Sequence, residues 1–472
     1  MLFNSFEFIL FLPIVIIIYY MLNYKVRWIF LLGSSYYFYM SWNAKYVLLL
    51  LLFTIINYLI ANKIYITESS KLKKMWLYIS IISSFSLLFI FKYFNFLSSS
   101  ITDFLNSFSM TLDPFLVSVL LPVGISFYTF QTVGYVLDVY WGKIKPEKHL
   151  GIFALYVSYF PQLVAGPIER AQNLLPQLKK KQIFSLNNFY SGLLVILWGF
   201  FLKVVIADRL SLIVNPIYNH VYSFEGLPLI IATYLFSFQI FCDFAGYSFI
   251  AIGSAKLMGV NLMENFRRPY FANSIQDFWQ RWHISLSTWF KDYIYIPMGG
   301  SRVRLSRFYF NILTIFLISG IWHGANWTFF IWGILHGAYL IFGNIFKKYL
   351  DYIPRILKIF ITFNLVSFSW IFFRANSLED AYYVITHLFV NINFMTIVAD
   401  LKLYSLGFVG LIIVLIFIFF MELVHLYQEI KPNLIFIEKY KFIMTNLSIL
   451  FMIYIIILLG IFEESSFMYF QF

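Results

Sequence analysis

Three histidines of this sequence, His283, His323 and His336, lie in apolar and aromatic stretches and have the chemistry for proton transfer. His323 follows the apolar run 308–321, and 14 helical residues cover about 21 Å, less than the roughly 30 Å of a bilayer core. We therefore expect His323 to lie within a membrane. A neutral histidine in such a low-dielectric setting can act as a base and take the proton of a hydroxyl group.

Structural alternatives exist for these residues. His323 lies in the stretch IWHGANW and could be a core histidine bonded to a helix carbonyl, but a short broken span is an expected way to open a polar cavity. His336, in the next apolar run, could equally bond a neighbouring helix or serve the site. The remaining histidines are interpreted as surface or interface residues in loops or at a span end: His149, His220, His387 and His425.

Charged side chains near His283 could meet an anionic substrate. Arg281 lies two residues before His283, and Arg268 precedes both. The alternative is that the two arginines extend along apolar surface and place their charges in water or among lipid headgroups. We interpret His283 as a residue of the site rather than as a purely structural histidine.

The composition indicates that this chain is a polytopic membrane protein. Hydrophobic residues form 61% of its 472 residues and charged residues only 12%, and long apolar runs recur from end to end. A soluble domain of this size would need more polar surface. The positive residues behind the net charge of +12 lie in short loops. They are interpreted as setting topology and contacting anionic membrane lipids, not as binding nucleic acid.

Several kinds of site are excluded by missing motifs. The sequence has no G-x-G-x-x-G, P-loop, H-E-x-x-H or G-x-S-x-G pattern. His283 and His323 are each followed five residues later by threonine, so the H-x-x-x-x-D motif is absent. With Cys242 as its single cysteine, the chain can form neither an intramolecular disulfide nor a cysteine-based metal site. We predict no metal and no bound cofactor.

The apolar runs predict an all-α architecture with about twelve transmembrane helices. Lysine and arginine cluster after every odd-numbered run, from Lys25 and Arg27 onwards, whereas the last run ends in Glu463 and Glu464. By the positive-inside rule, both termini are expected outside. The predicted spans are 6–22, 28–42, 46–61, 76–91, 116–140, 184–206, 228–250, 308–321, 327–346, 355–373, 405–424 and 443–462.

Two apolar stretches, 152–166 and 275–300, are flanked on both sides by basic residues and contain polar or helix-breaking ones. We predict that both are re-entrant segments, shielded by protein or lining a cavity. The outer loop 374–403 could hold an amphipathic helix at Leu378–Val390. The first run has no small-residue cleavage site and is expected to be retained. We expect a single integral membrane domain over 1–472.

The block DFWQRWHISLSTWFKDYIYIPMGGSR at 277–302, followed by GIWHGANWT from Gly320, resembles the signature of the membrane-bound O-acyltransferase (MBOAT) family. It is most similar to the bacterial branch that O-acetylates alginate and peptidoglycan. Three further stretches resemble the same branch: LPVGISFYTFQ, QLVAGPI and CDFAGYS. The resemblance runs from Phe3 to the last residue, with its signature region over residues 120–345.

This resemblance implies that His323 is the catalytic histidine and His283 a second catalytic residue. It implies that an acetyl donor, acetyl-CoA, enters from the cytoplasm and that acetyl crosses a transmembrane tunnel. It also implies a polysaccharide acceptor, an extracytoplasmic SGNH-type O-acetyltransferase partner and a multi-pass location in the bacterial cytoplasmic (inner) membrane. The candidate donor-binding residues are Arg281, Arg268, Trp282 and Asn326. The candidate supporting residues are His336 and Asp277.

The aromatic tail FMYFQF at 467–472 adds a candidate acyl relay. The related machinery that D-alanylates teichoic acid is associated with a C-terminal aromatic motif that includes a tyrosine. Tyr469 could carry the acyl group in a similar way, since the predicted topology places the tail outside. The alternative is an aromatic anchor at the membrane interface.

The sequence leaves the identity of the acceptor undecided. Richness in Ile, Lys, Asn and Phe indicates an AT-rich genome, which favours peptidoglycan over alginate. Alginate or another exopolysaccharide, and D-alanyl transfer to teichoic acid, are the alternatives. A polysaccharide or lipid transporter is a hypothesis from another class, although the two halves show no matching pair of broken helices. A scaffold for a polysaccharide synthase is a third hypothesis.

Overall fold

The computed structural model describes residues 1–118, 121–164, 166–392, 407–430, 441–462 and 468. Within these ranges the chain is helical and has no β-strand, so the all-α prediction is confirmed. The α-helices of these ranges are Phe6–Met21, Arg27–Met40, Val47–Ile66, Ser70–Lys92, Phe94–Asn106, Ile125–Tyr140, Leu150–Ser158, Phe160–Leu163, Ala171–Lys179, Leu186–Phe200, Asp208–Asn219, Leu227–Leu257, Ile275–Arg281, Ile284–Phe290, Leu305–His323, Trp327–Ile345, Lys347–Leu350, Arg355–Arg374, Leu378–His387, Gly407–Ile430 and Lys441–Leu459.

Eight helices of the described ranges are long and apolar enough to cross a bilayer. Two shorter apolar helices, Phe6–Met21 and Asn446–Leu459, add to them. The polytopic prediction is therefore confirmed, whereas the predicted count of twelve spans is not. The eight helices are Ala44–Ile66, Ser70–Lys92, Leu186–Asn219, Leu227–Leu257, Leu305–His323, Trp327–Ile345, Arg355–Arg374 and Val409–Ile430.

The predicted span 116–140 begins later than expected. Its helix starts at Ile125, after Pro122 and after Gly124, which has a φ of +76°. A Cβ at Gly124 would lie 2.5 Å from the carbonyl oxygen of Leu163, so only glycine fits this close approach. Hydropathy did not reveal the later start because the residues before it are themselves apolar.

The predicted span 184–206 extends further than expected. The helix runs over Leu186–Asn219 and includes a π-helical turn at Phe201–Ala207. Asp208 follows the predicted end, but its carboxylate lies 2.7 Å from the ammonium group of Lys203 one turn earlier. Because the two charges pair within the helix, the helix continues past them.

Neither stretch predicted to be re-entrant forms a helix that could cross a bilayer. Residues 152–158 lie in helix Leu150–Ser158 and residues 160–163 in helix Phe160–Leu163, and the nine residues of the longer helix cover about 14 Å. Between residues 275 and 295 the helical segments are likewise short. Many of their side chains are buried, as they must be if the segment enters and leaves on one side.

The helix predicted at Leu378–Val390 is present as Leu378–His387. Ser377 caps its N-terminus, because the Ser377 side chain accepts a hydrogen bond from the backbone N–H of Asp380 at 3.0 Å. Glu379 and Asp380 lie in the first turn, where negative charge is favourable. One face buries Ala381 and Val384. The structure therefore agrees with the predicted amphipathic segment and ends it three residues earlier.

The chain divides into two compact units. One consists of Met1–Gly192 with Ala251–Met263, and the other of Leu193–Ile250 with Glu264–Phe472. Each unit has its own buried apolar side chains. Every candidate site residue that the structure describes lies in the second unit. The predicted single domain stays a prediction.

A tight pair of helices in the second unit contains His323 and His336. Helices Leu305–His323 and Trp327–Ile345 pack through Gly320, where an added Cβ would meet a backbone carbonyl of the opposite helix. Small residues at such contacts let helix backbones approach closely in membrane proteins. This contact fixes the position of the two histidines relative to each other.

Candidate active site

His283 lies at the junction of two short helices. Helix Ile275–Arg281 ends just before it, and helix Ile284–Phe290 begins just after it. Backbone hydrogen bonds to residues 265–267 hold this junction. His283 has a φ of +43°, in the left-handed region, which costs a non-glycine residue about 1–3 kcal/mol and is found most often at functional sites.

The tautomer of His283 follows from its hydrogen bonds. Its Nδ1 lies 3.0 Å from Oδ1 of Asn265, and that atom also accepts from the backbone N–H of Ser285. A backbone N–H can only donate, so the Asn265 atom is the amide oxygen and Nδ1 of His283 must donate to it. Nδ2 of Asn265 donates to Oγ of Ser248 at 3.0 Å, which orients the amide. In the neutral ring, Nε2 of His283 is therefore the basic nitrogen.

The surroundings of His283 favour its neutral form. The side chain is fully buried, and its ring contacts the ring of Phe244 with 4.7 Å between centroids. This burial lowers the pKa of His283 to about 3 because an apolar environment disfavours the charged imidazolium. His283 is thus uncharged at neutral pH, the state in which a histidine can accept a proton.

His323 is the last residue of its helix and is buried among aromatic rings. Its ring centroid lies 4.8 Å from that of Trp322, 4.9 Å from that of Trp332 and 5.3 Å from that of Phe373. All three contacts are edge-to-face, the arrangement that aromatic pairs prefer. His323 therefore has the apolar setting that its sequence position led us to expect.

Two tryptophans connect the three predicted histidines. Trp322 lies between His283 and His323, with ring centroids 5.9 and 4.8 Å away. Trp332 lies between His323 and His336, with centroids 4.9 and 4.8 Å away. The structure thus brings all three histidines into one buried cluster, although up to 53 residues separate them in the sequence. We call these five residues the histidine–tryptophan cluster.

His336 also joins two helices. Its Nδ1 accepts a hydrogen bond from Nε1 of Trp279 at 3.2 Å, which leaves the proton of the neutral ring on Nε2. This bond connects the segment Ile275–Arg281 to the helix Trp327–Ile345. It supports the structural interpretation of His336, while the ring contact with Trp332 keeps His336 beside the candidate site.

The predicted donor-binding arginines meet at one carboxylate. Oε2 of Glu429 accepts from Arg268 Nε and from Arg281 Nη1, both at 3.0 Å. The other oxygen, Oε1, accepts from Arg355 Nη2 at 2.9 Å. Asp277 pairs with Arg281 Nε at 2.7 Å. Three guanidinium groups thus face two carboxylates, so this arginine cluster has one net positive charge.

The arginine cluster is accessible from outside the protein core. The side chains of Arg268 and Arg281 are 19% and 16% exposed, so an anionic ligand could reach them. Arg268 has a φ of +46°, in the same uncommon region as His283. The topology prediction places the sequence segments around Arg268, Arg355 and Glu429 on the same side of the membrane, and their contact is consistent with it.

Trp282, a predicted donor contact, is fully buried in aromatic packing. Its ring centroid lies 5.4 Å from that of Phe278 and 5.1 Å from that of Trp370. This position makes Trp282 part of the wall behind His283, and a donor contact stays a prediction. Tyr469, the predicted relay, lies outside the described residues. In the described part of the chain, no group of three His, Cys, Asp or Glu residues could hold a metal ion.

Asn326, another predicted donor contact, has a local structural role. Its Oδ1 accepts from the backbone N–H of Thr328 at 3.0 Å and caps the helix that follows. Its Nδ2 donates to the carbonyl oxygen of Asn376 at 2.9 Å. Asn326 therefore fixes the turn after His323, and its contact with a donor stays a prediction.

Several functional candidates were missed by the motif analysis. Asn265 holds His283, and Glu429 holds the arginines from beyond the end of a predicted span. Lys203 forms ion pairs with Asp208 and Asp243 in the apolar interior. An ionisable residue within an apolar run is itself a sequence signal, and it would have identified Lys203 and Asp243. No feature of the neighbouring sequence identifies Asn265 or Glu429 as a functional candidate.

Comparisons with known proteins agree with these features. The family model described as MBOAT, membrane-bound O-acyltransferase family, matches residues 149–385, which include all three histidines of the cluster. The peptidoglycan O-acetyltransferase of Helicobacter pylori is 38% identical over 383 residues, covering 75% of this chain and 72% of that protein. The probable alginate O-acetylase AlgI of Azotobacter vinelandii is 38% identical over 395 residues, covering 81% and 77%.

A more distant relative is named for the transfer of a different acyl group. The teichoic acid D-alanyltransferase of Bacillus subtilis is 30% identical over 276 residues, covering 54% of this chain and 68% of that protein. The family match covers half of this chain, and two relatives from different organisms align over most of its length. The multi-pass helical fold and the buried histidines are in keeping with this family match. This chain therefore belongs to the membrane-bound O-acyltransferase family and is an O-acyltransferase.

Proposed function

We propose that this chain takes acetyl from acetyl-CoA at the cytoplasmic face and passes it across the bacterial inner membrane for O-acetylation of peptidoglycan. The observation on which the proposal rests is the histidine–tryptophan cluster, in which buried His283 and His323 share the ring of Trp322. The names of two relatives, a peptidoglycan O-acetyltransferase and a probable alginate O-acetylase, support acetyl as the transferred group.

His323 is the general base of the proposed reaction. It takes the proton of an acceptor hydroxyl while the hydroxyl oxygen attacks the thioester carbonyl of the donor. The carbon–sulfur bond then breaks, the coenzyme leaves as a thiolate, and the proton passes from the imidazolium to that sulfur.

His283 assists this transfer through its Nε2, and Asn265 is its positioning residue. The Asn265→Ala variant loses the acceptor that holds Nδ1, so the ring can turn and change tautomer. We expect kcat for acetyl transfer to fall about ten- to a hundredfold with the KM for acetyl-CoA nearly unchanged. Ser248→Ala is the matched control, because Ser248 accepts from the amide nitrogen of Asn265 whereas His283 contacts the amide oxygen, and its effect should be smaller. Equal kcat values in the wild type, Asn265→Ala and Ser248→Ala would contradict the positioning role of Asn265.

The arginine cluster binds the phosphates of the donor in this proposal. One net positive charge remains after Glu429 and Asp277 are paired, and guanidinium groups match phosphate geometry. We expect Arg268→Ala to raise the KM for acetyl-CoA about tenfold at nearly constant kcat, as the loss of one charge-assisted contact would. Arg267→Ala is the control, since Arg267 is exposed and pairs only with the exposed Glu264 in the described residues. A KM equal to that of the control would contradict a donor contact.

On the outer side, we propose that Tyr469 accepts acetyl as a phenolic ester and hands it to an SGNH-type partner that modifies the polymer. The transfers conserve atoms: acetyl moves from sulfur to the tyrosine oxygen, then to the partner and the sugar hydroxyl. A transmembrane tunnel, also predicted from the family resemblance, would separate the charged donor from this outer step. In the proposal Trp282 shapes the inner part of the tunnel, and Asn326, which bonds Asn376 of the outer loop, shapes its outer part.

The test compares donors and acceptors in membranes that contain the full-length chain. Labelled acetyl-CoA is added, and label is measured in peptidoglycan, in other polysaccharides and in the protein itself. Label in peptidoglycan supports the proposal. Label in another polysaccharide would mean that this polysaccharide, not peptidoglycan, is the acceptor. Transfer of D-alanine in place of acetyl would mean that the acyl group is D-alanyl, as in the name of the related Bacillus subtilis protein. No transfer of either group would contradict the proposed function.

A further inference from the structure

A long helix of the second unit becomes π-helical over Phe201–Ala207. The backbone N–H of Asp208 donates to the carbonyl of Lys203, five residues earlier, instead of to that of Val204. The Val204 carbonyl accepts from the backbone N–H of Ile461 at 2.9 Å. The π-helical turn thus exposes a backbone acceptor for the stretch that follows the last helix, and such turns are frequent at functional sites.

A buried ion cluster lies at the same turn. Nζ of Lys203 is 2.7 Å from Oδ1 of Asp208 and 2.6 Å from Oδ1 of Asp243, and all three side chains are at most 5% exposed. One cation thus contacts two carboxylates in an apolar interior. Carboxylates buried in this way require hydrogen-bond donors as well as the cation.

The C-terminal end of the chain supplies one such donor. The backbone N–H of Met468 donates to Oδ2 of Asp243 at 2.9 Å, and Met468 is itself buried. Near the start of the same stretch, the carbonyl oxygen of Leu459 accepts from Nη2 of Arg209 at 2.6 Å. The C-terminal stretch is therefore bound at separate points to the region of the π-helical turn and its ion cluster.

We propose that the Lys203–Asp208–Asp243 cluster is a binding site for the C-terminal segment of this same chain, and that Asp243 is a positioning residue for the acyl relay. The second half of this inference rests on the proposed role of Tyr469, which follows Met468 in the sequence. Asp243 precedes Phe244, whose ring contacts His283 with 4.7 Å between centroids. The same helical turn thus contacts both the tail and the histidine–tryptophan cluster.

Two matched variants separate binding of the tail from general stability. Asp243→Leu and Asp208→Leu each remove one carboxylate and leave Lys203 in a one-to-one ion pair. They are the same substitution in the same buried cluster, but the backbone N–H of Met468 donates to Asp243, whereas Asp208 is paired with Lys203 within its own helix. Asp243→Asn is an intermediate case, because it keeps an acceptor oxygen but loses the charge.

The first readout is the release of C-terminal residues by carboxypeptidase from the purified full-length protein, followed by mass spectrometry. We expect release from Asp243→Leu to be about tenfold faster than from wild type, because a charge-assisted hydrogen bond is lost. Asp243→Asn should lie between them, and Asp208→Leu should match wild type. Equal release from the Asp243→Leu and Asp208→Leu proteins, whether fast or slow, would overturn the binding site.

The second readout is transfer of labelled acetyl to the outer acceptor. We expect Asp243→Leu to lower this transfer about tenfold without changing the KM for acetyl-CoA, and to have no further effect in a Tyr469→Phe background. Faster release with unchanged transfer would overturn the positioning role. Full activity of Tyr469→Phe alone would instead remove the relay from the proposed function, and the release experiment would still decide whether the tail is bound.

Discussion

Membranes that contain the His323→Ala variant are expected to transfer acetyl at least about a hundredfold more slowly than wild-type membranes with the same amount of protein. The reason is that the general base of the proposed reaction is lost, while the rings of Trp322, Trp332 and Phe373 offer no replacement. The measurement follows label from acetyl-CoA into the acceptor at saturating donor. The KM for acetyl-CoA should change little, because the arginine cluster is untouched.

Two further variants make this result specific. His323→Gln keeps a polar side chain of similar size but cannot act as a base, so it should be as inactive as His323→Ala. His425→Ala removes another buried histidine of the same unit, which packs on Phe241 and which the sequence analysis did not assign to the site. It should retain most of the transfer activity. Activity in His323→Gln close to that of wild type would remove His323 from proton transfer.

The Lys203→Met substitution is expected to destabilise the fold strongly. It leaves the carboxylates of Asp208 and Asp243 buried without the cation that both contact within 2.7 Å. Removing one partner from a buried ion pair costs about 3–5 kcal/mol, and here two carboxylates are affected. The apparent Tm of the purified protein in detergent, together with its yield in membranes, measures the effect.

A compensating variant tests whether charge is the cause. Lys203→Met combined with Asp208→Asn and Asp243→Asn removes all three charges and keeps the side-chain sizes close to those of wild type. Its Tm should recover much of the loss, since well-packed uncharged side chains can replace a buried ion cluster. If Lys203→Met alone unfolds at the wild-type temperature, the cluster does not stabilise the fold in the way described.

Much of the helical framework could be predicted from local sequence. The runs 327–346 and 355–373 correspond to helices Trp327–Ile345 and Arg355–Arg374, because length and hydropathy are properties of each segment alone. The short stretches on either side of His283 were likewise recognised as unable to span a bilayer. Their basic flanks and internal charges are visible without knowledge of the fold.

Boundaries that depend on a distant partner were predicted less well. The helix expected from residue 116 begins at Ile125, because Gly124 lies against the backbone of Leu163. The span expected to end at residue 206 continues, because Lys203 and Asp208 form an ion pair inside it. Hydropathy averages over neighbours in the sequence, so it registers neither a close backbone approach nor a buried ion pair.

The sequence by itself determined that this protein is a polytopic helical membrane protein of the O-acyltransferase family, and it identified His283, His323 and His336. Only the tertiary structure decided which groups meet. Arg268 and Arg281 share Glu429 across 161 and 148 residues, and Asp243 holds the backbone of Met468 across 225. Helix period and hydropathy specify which face of a segment is apolar, whereas partners this far apart are set by how the helices pack together.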